Sequence, residues 1–252
     1  MSRRPRILLT NDDGVRAEGL RAVYAELTKI ADVTVAAPTE QRSGMSHAIT
    51  LERPLRATPL TDLPGWSVEY TPVDCVKLAI RNLMPEKPDL VVSGINKGSN
   101  AGHLVHYSGT VGAAIEAVLN GVPALATSLC GWRECNYEYA AKLTREVAGK
   151  LLGRPELLRT DVVYNLNVPN LPESRVKGLR VCRQSLQLLP DDYEPRKDPR
   201  GEPYFWLTGV FKFEGLEKDD DLTAVQEGYA ALTPLRVDWS HVEVAKGLRE
   251  IF

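Results

Sequence analysis

Apolar and polar positions along this chain fall into blocks that switch between two periods. Arg6 to Thr10 is a short apolar run with the length of a buried strand, and a polar turn, residues 11–16, follows it. Ala17 to Ile30 then places Leu20, Val23, Tyr24 and Leu27 at helical spacing, and Val33 to Ala37 is strand-like again. Strand, helix and strand in so short a span form a βαβ unit, which predicts parallel strands and a right-handed crossover.

The alternation continues with a strand over Ser67 to Tyr70, a helix over Val73 to Leu83 and a strand over Asp89 to Ser93. A helix over Gly109 to Leu119, the strand ALATSL after Pro123, a helix from about Tyr137 to Leu152 and a strand over Val162 to Leu166 complete the series. Strands apolar on both faces and separated by helices predict an α/β fold, with a Rossmann-like, mostly parallel sheet and helices on both faces. The pattern changes after about Arg183. The stretch LPDDYEPRKDPRGEPYFW holds four prolines among many charges, which excludes a central strand or a helix interior. Val176 to Phe213 therefore reads as β-rich with an extended hairpin arm, EGLEKDDD as a solvated loop, and Leu222 to Phe252 as short mixed elements. The predicted division is a catalytic domain over residues 1–175 and a smaller β-rich part with the arm over residues 176–252.

Composition excludes several classes. With 31 Lys and Arg against 33 Asp and Glu, the chain has no broad positive field for polymeric nucleic acid, so an anionic substrate must be held by local groups. No stretch approaches the roughly 18 apolar residues of a membrane span, and the run Ile7 to Leu9 is too short for the centre of a signal peptide. Cys75, Cys130, Cys135 and Cys182 form no CxxC pair and are too sparse for a disulfide scaffold, so a cytoplasmic location is expected.

Three loops carry candidate chemistry. TNDDGV follows the first strand, where open α/β sheets bind ligands. Asp12 and Asp13 there repel one another unless a positive group lies beside them, which a divalent cation supplies most directly; the alternative is an Asp-rich turn that caps the next helix. The second loop, APTEQRSGMSHAIT, offers Ser43, whose hydroxyl is a usable ligand for a hard cation when carboxylates supply the charge; a plain turn is the alternative. In the third, SGINKGSNAGHLVHYSGTVGAA, Asn96 has an amide oxygen suited to a cation and Lys97 a point charge suited to phosphate. Asn100 lies in the same loop, and Ser108, Gly109 and Thr110 form a hydroxyl-rich helix start that favours anions. His103 and His106 invite a zinc reading, but the other donors are all oxygens, which suit Mg²⁺ or Mn²⁺.

Taken together, ILLTNDDGVRAEGL, AAPTEQRSGMSHAIT, TPVDCV, PDLVVSGINKGSNAG, YSGTVGAA, YNLNVP and EGYAALTPL resemble the SurE family of stationary-phase survival proteins, metal-dependent acid phosphatases that act as 5'- and 3'-nucleotidases. The resemblance spans nearly the whole chain. It implies one divalent ion per subunit, Mg²⁺ or Mn²⁺, held by Asp12, Asp13, Ser43 and Asn96, with the phosphate near Tyr107 to Thr110. It also implies a Rossmann-like domain with a β-rich C-terminal part exchanged between subunits of a homodimer or homotetramer. The chain departs from the family pattern at His103, where an acidic residue is common, and at Tyr70, where a glycine is common. The expected reaction is hydrolysis of nucleoside monophosphates by a metal-activated water, with Asp12 favoured over Asp13 as the base. A covalent phosphoaspartate mechanism is disfavoured by adjacent aspartates in place of DxD, and a non-catalytic nucleotide-binding module is the alternative from another class.

Overall fold

The spacing of apolar residues in the first unit produces the elements it predicts, β1 (Arg6–Thr10), α1 (Glu18–Leu27) and β2 (Asp32–Pro38). The computed structural model describes residues 3–187, 191–209 and 217–252. β1 alternates strictly: Ile7 and Leu9 join one core and Leu8 the other, all of them fully buried. A strand can contribute to two cores only if both faces are covered, and helices cover both. α1 and α4 (Glu138–Leu152) pack over one face, and α2 (Pro72–Leu78) and α3 (Gly109–Leu119) over the other.

The main sheet has nine strands in the order β3-β4-β2-β1-β5-β6-β7-β11-β8. Besides those named, they are β3 (Ala57–Pro59), β4 (Gly65–Val68), β5 (Leu90–Lys97), β6 (Ala124–Cys130), β7 (Val162–Pro169), β8 (Leu179–Val181) and β11 (Ala230–Arg236). The chain runs outward from β1 to β2 and then crosses to β5 on β1's other side. The order therefore reverses between β1 and β5, which opens a crevice beyond their carboxyl ends. β9 (Asp191–Lys197) and β10 (Pro203–Gly209) form a separate antiparallel hairpin, and its Tyr193, Phe205, Trp206 and Leu207 are exposed. Pro195 is tolerated because, among the described residues, the hairpin has two strands and no third to demand its missing donor.

Two expectations need correction. The helix expected over Val73 to Leu83 is α-helical only to Leu78, and Ala79–Leu83 continue as a wider π turn closed by Met84 N donating to Ala79 O. Its start is well specified, with Pro72 in the first turn and Thr71 and Asp74 in a reciprocal capping box. The segment after Leu222 holds the short mixed elements expected of it, among them β11, which pairs antiparallel with β7 from Ala231↔Asn167 to Arg236↔Val162, and α6 (Val242–Arg249). Contrary to expectation, EGLEKDDD is not wholly solvated. Its first three residues lie outside the described set, but Asp220 and Asp221 are buried at the start of α5 (Asp221–Gln226), where Asp220 Oδ1 accepts from Thr223 N at 2.7 Å.

Candidate active site

Asp12 and Asp13 leave the end of β1 into the crevice. They do not cap α1: the residue before that helix is Ala17, and no side chain bonds its first turn. Asp12 is 3 % exposed, and the Thr110 hydroxyl donates to its Oδ1 at 2.6 Å. Burial pushes the Asp12 carboxyl up to about 6, opposed by the Thr110 hydrogen bond and reinforced by the charge of Asp13. Burial also raises Asp13, against the pull of the Lys97 main-chain N–H, which donates to Asp13 Oδ2 at 3.0 Å, and of the Lys97 charge.

Two glycines make this proximity possible. A Cβ on Gly109 would stand 3.1 Å from Asp12 Cβ and 3.2 Å from Asp12 Oδ2, so a side chain at the first residue of α3 would require the carboxylate to give way by a few tenths of an ångström. Gly14, at φ +99°, turns the first loop tightly, and Asn11 Nδ2 fixes that turn by donating to Gly14 O at 3.0 Å.

Asn96 sits at the end of β5, just past a register shift against β6 between Ser93 and Asn96, the kind of irregularity that re-aims a side chain. It is buried, and its Nδ2 donates to Gly98 O at 2.8 Å, which directs the amide oxygen the other way. The second loop approaches as well, because Arg42 N donates to Asp12 O at 2.7 Å. Ser43, the next residue, is exposed, and its Oγ accepts from Gln41 Nε2 at 2.9 Å. The structure thus joins Asp12, Asp13, Lys97, Gly109 and Thr110 by direct contacts, with Asn96 one residue from Lys97, and it ties the Ser43 loop to Asp12 through the adjacent residue.

Several expected substrate ligands are engaged elsewhere. The Ser108 hydroxyl caps α3 by accepting from Val111 N at 3.1 Å, and the Thr110 hydroxyl is spent on Asp12. Asn100 is buried and shapes the third loop from within: its Nδ2 donates to Ser128 Oγ at 2.8 Å and its N–H to Asn167 Oδ1 at 2.9 Å. His103 and His106 have ring centroids 6.3 Å apart, and His241 caps α6 through Nδ1. Among the described residues no group of three or more His, Cys, Asp or Glu is placed to hold a metal. The donors at the strand ends, the carboxylates of Asp12 and Asp13 and the amide of Asn96, are of the oxygen type that suits a hard ion.

Residues that the sequence reading passed over hold these loops in place. Asp221 accepts from Gly102 N at 3.0 Å and from Ser185 N at 3.0 Å, fixing the third loop to the C-terminal segment. Asn165 and Asn167 are two apart on β7 and so on one face; Asn165 Nδ2 donates to Asn100 O, and Asn167 Oδ1 accepts from Asn100 N. Glu116 on α3 is buried between His47 Nε2 and Lys77 Nζ, each 3.0 Å away, which clamps the second loop to the helix that carries Thr110. Burial would raise Glu116, but hydrogen bonds from His47, Lys77 and Asn120 prevail and bring it down to about 2. The signal for the asparagines was present, since polar residues inside an apolar strand require partners. Tyr70, where the family pattern has glycine, adopts φ +77°, a left-handed conformation that favours glycine.

Residues 7–190 match the family model described as survival protein SurE. The chain is 41% identical over 251 residues to the 5'-nucleotidase SurE of Chlorobium phaeobacteroides, covering 98% of this chain and 96% of that protein. It is 42% identical over 237 residues to the 5'-nucleotidase SurE of Heliobacterium modesticaldum, covering 92% and 86%. The crystal structure of the SurE protein from Aquifex aeolicus superposes with a TM-score of 0.88 at 35% identity, over 98% of this chain and 99% of that one. With this family match, these relatives and this fold, the chain belongs to the SurE family.

Proposed function

We propose that this chain is a divalent-metal-dependent phosphatase that hydrolyses nucleoside 5'- and 3'-monophosphates to nucleoside and phosphate. The observation that carries the reading is the pair Asp12 and Asp13 at the reversal point of the sheet, Asp12 buried and Asp13 half-buried. Both carboxyl groups are raised by burial, and Asp12 has one hydroxyl as its side-chain donor. Two carboxylates held this way need a compensating positive charge, and the oxygens around them fit Mg²⁺ or Mn²⁺. The relatives named 5'-nucleotidase support the substrate class.

Asp12, Asp13, Asn96 and Ser43 are the residues that would hold the ion, one per subunit. Bound there, a divalent ion supplies Lewis-acid stabilisation of phosphoryl charge and makes water more acidic. The chain's own groups do the rest. Thr110 fixes the orientation of Asp12 and keeps it ionised, so that its other oxygen can take a proton from water. Lys97 brings positive charge to the phosphate. The start of α3, freed of side-chain bulk at Gly109, offers partial positive charge to the same anion. Asn100 and Ser108 shape the loop and the helix start around it.

Within residues 176–252 the hairpin of β9 and β10 is proposed to serve assembly into a homodimer or homotetramer, since its aromatic groups gain from cover that a second copy can supply. Four free cysteines fit the cytoplasm, and no helix among the described residues is long and apolar enough to cross a membrane. The test is phosphate release from 5'- and 3'-monophosphates of several nucleosides with Mn²⁺ or Mg²⁺ present. Hydrolysis of these compounds supports the reading. Binding without turnover would make the chain a nucleotide-binding module.

A further inference from the structure

The loop after β6 has no part in the roles above. Residues 131–137, GWRECNY, are held by the end of β7: Asn170 Nδ2 donates to the carbonyls of Arg133 and Glu134 at 3.3 Å, and Asn170 Oδ1 accepts from Asn136 N at 3.2 Å. Gly131 permits this, because a Cβ there would meet Asn170 Cβ at 2.7 Å. Asn170 therefore holds the loop at Arg133, Glu134 and Asn136, and the loop carries an aromatic side chain near each end, Trp132 and Tyr137.

Tyr137 packs against Gly19, where its Cε1 would lie 3.0 Å from an added Cβ. Trp132 lies on Gly98. A Cβ on that glycine would stand 2.6 Å from Cη2, 2.9 Å from Cζ3 and 3.0 Å from Cζ2, so the benzo ring rests on bare main chain. Gly98 directly follows Lys97, whose N–H reaches Asp13 Oδ2. One peptide step of about 3.8 Å separates the two Cα atoms, which puts the indole within a nucleoside's reach of the carboxylate pair. Trp132 is nonetheless 64 % exposed, so most of its ring surface stays open beside the crevice. A large flat ring whose benzo end rests on main chain at Gly98, which is mostly open elsewhere and lies next to the proposed phosphate site, is a platform for a base on its free face, since stacking needs a π face and little else.

We propose that Trp132 is the nucleobase contact of this enzyme: the phosphate sits beside the Asp12 and Asp13 pair, at Lys97 and the start of α3, the sugar spans Gly98, and the base stacks on the indole. The inference rests on the nucleotidase reading and assigns its specificity to one residue. Stacking grows with the area covered, so purine nucleotides depend on Trp132 more than pyrimidine nucleotides do, and ribose 5-phosphate, which has no base, does not depend on it.

The test compares wild type with Trp132→Ala and Trp132→Phe in the presence of Mn²⁺. For Trp132→Ala the expected result is a KM about tenfold higher for adenosine 5'-monophosphate, equivalent to about 1.4 kcal/mol. A smaller rise is expected for cytidine 5'-monophosphate, with kcat preserved and no change for ribose 5-phosphate, which also shows that the variant folds. Trp132→Phe should stay within about threefold of wild type, because a smaller π face remains. An equal KM change for all substrates, or none, overturns the proposal while leaving the nucleotidase reading intact. A change in light-scattering mass without a change in KM also overturns it, by making Trp132 a subunit contact. If wild type hydrolyses no nucleotide, the nucleotidase reading fails instead. The contact is then read by fluorescence quenching, as the difference between wild type and Trp132→Phe. Quenching by adenosine 5'-monophosphate but not by ribose 5-phosphate supports the platform, and equal or absent quenching overturns it.

Discussion

Removing the charge of Asp12 should flatten the pH dependence of the metal-free protein. Burial holds this carboxyl at about 6 in the folded state against an ordinary 3.8. The folded protein therefore binds the proton more tightly than the unfolded chain does. That contribution to stability is fully present below pH 3.8, declines as pH rises and is gone above about 6. At about 1.4 kcal/mol per pH unit, the difference is worth about 3 kcal/mol. Asp12→Asn keeps an Oδ1 to accept from the Thr110 hydroxyl but has nothing to titrate. Its new Nδ2 is buried and costs about 1–3 kcal/mol if it finds no acceptor, so the absolute stability of the variant matters less than the change with pH. Urea unfolding in excess chelator at pH 4 and pH 7.5 gives that change. Stability of wild type minus that of Asp12→Asn is expected to fall by about 3 kcal/mol across the interval, while Asp13 titrates in both proteins and largely cancels. A difference that is flat, or that rises with pH, would refute the claim that Asp12 is a carboxylate held against its desolvation.

Thr110→Val removes a hydrogen bond to a charged oxygen at 2.6 Å, worth about 1.5–3 kcal/mol, and leaves Asp12 harder to ionise. Mn²⁺ affinity by calorimetry should drop about tenfold or more, with a larger deficit at pH 6 than at pH 8; unchanged affinity would mean that this hydroxyl does not support the site. Glu116→Gln weakens the clamp between the second loop and α3. Because His47 and Lys77 are 28% and 50% exposed, the loss at pH 7 should be about 1–2 kcal/mol, well below that of a fully buried pair. Glu116 is depressed from 4.5 to about 2, so its contribution is present above 4.5 and lost toward 2, and urea midpoints of variant and wild type should converge at low pH. Replacing residues 192–208 with a short Gly linker should shift the protein toward monomer in light scattering at micromolar concentration, and an unchanged mass would separate the hairpin from assembly.

The sheet was legible wherever an apolar run was long and bounded by turn residues. β1 and α3 fall at the residues their patterns indicated, because fully buried strands and strongly apolar helices leave little choice of boundary. β11 was not legible as part of the main sheet, since a single antiparallel strand that arrives after a proline-rich arm carries no local mark of its distant partner β7. The acidic run ending at Asp221 was misread for a related reason. Charge in a row suggests solvent, and only the tertiary fold shows that main-chain donors at Gly102 and Ser185 wait for that carboxylate. The placement of Asp12, Asp13 and Asn96 at strand ends could be read because unusual residues there follow or close short apolar runs, the position at which open sheets bind ligands. The internal commitments of Thr110, Ser108 and Asn100 could not, because a hydroxyl or amide at a helix start looks the same whether it faces a ligand or a neighbouring side chain.

The central claim is that the Asp12 and Asp13 pair holds a divalent ion on which phosphate release depends. Its most direct test is phosphate release from adenosine 5'-monophosphate by protein stripped with EDTA and then repleted with Mn²⁺ or Mg²⁺, run beside Asp13→Asn under the same conditions. The expected result is no release from the stripped protein, recovery on repletion, and a rate for Asp13→Asn lower than wild type by about 100-fold or more, the scale on which a positioned acid–base group acts. Full release in excess EDTA, or a wild-type rate for Asp13→Asn, would contradict it.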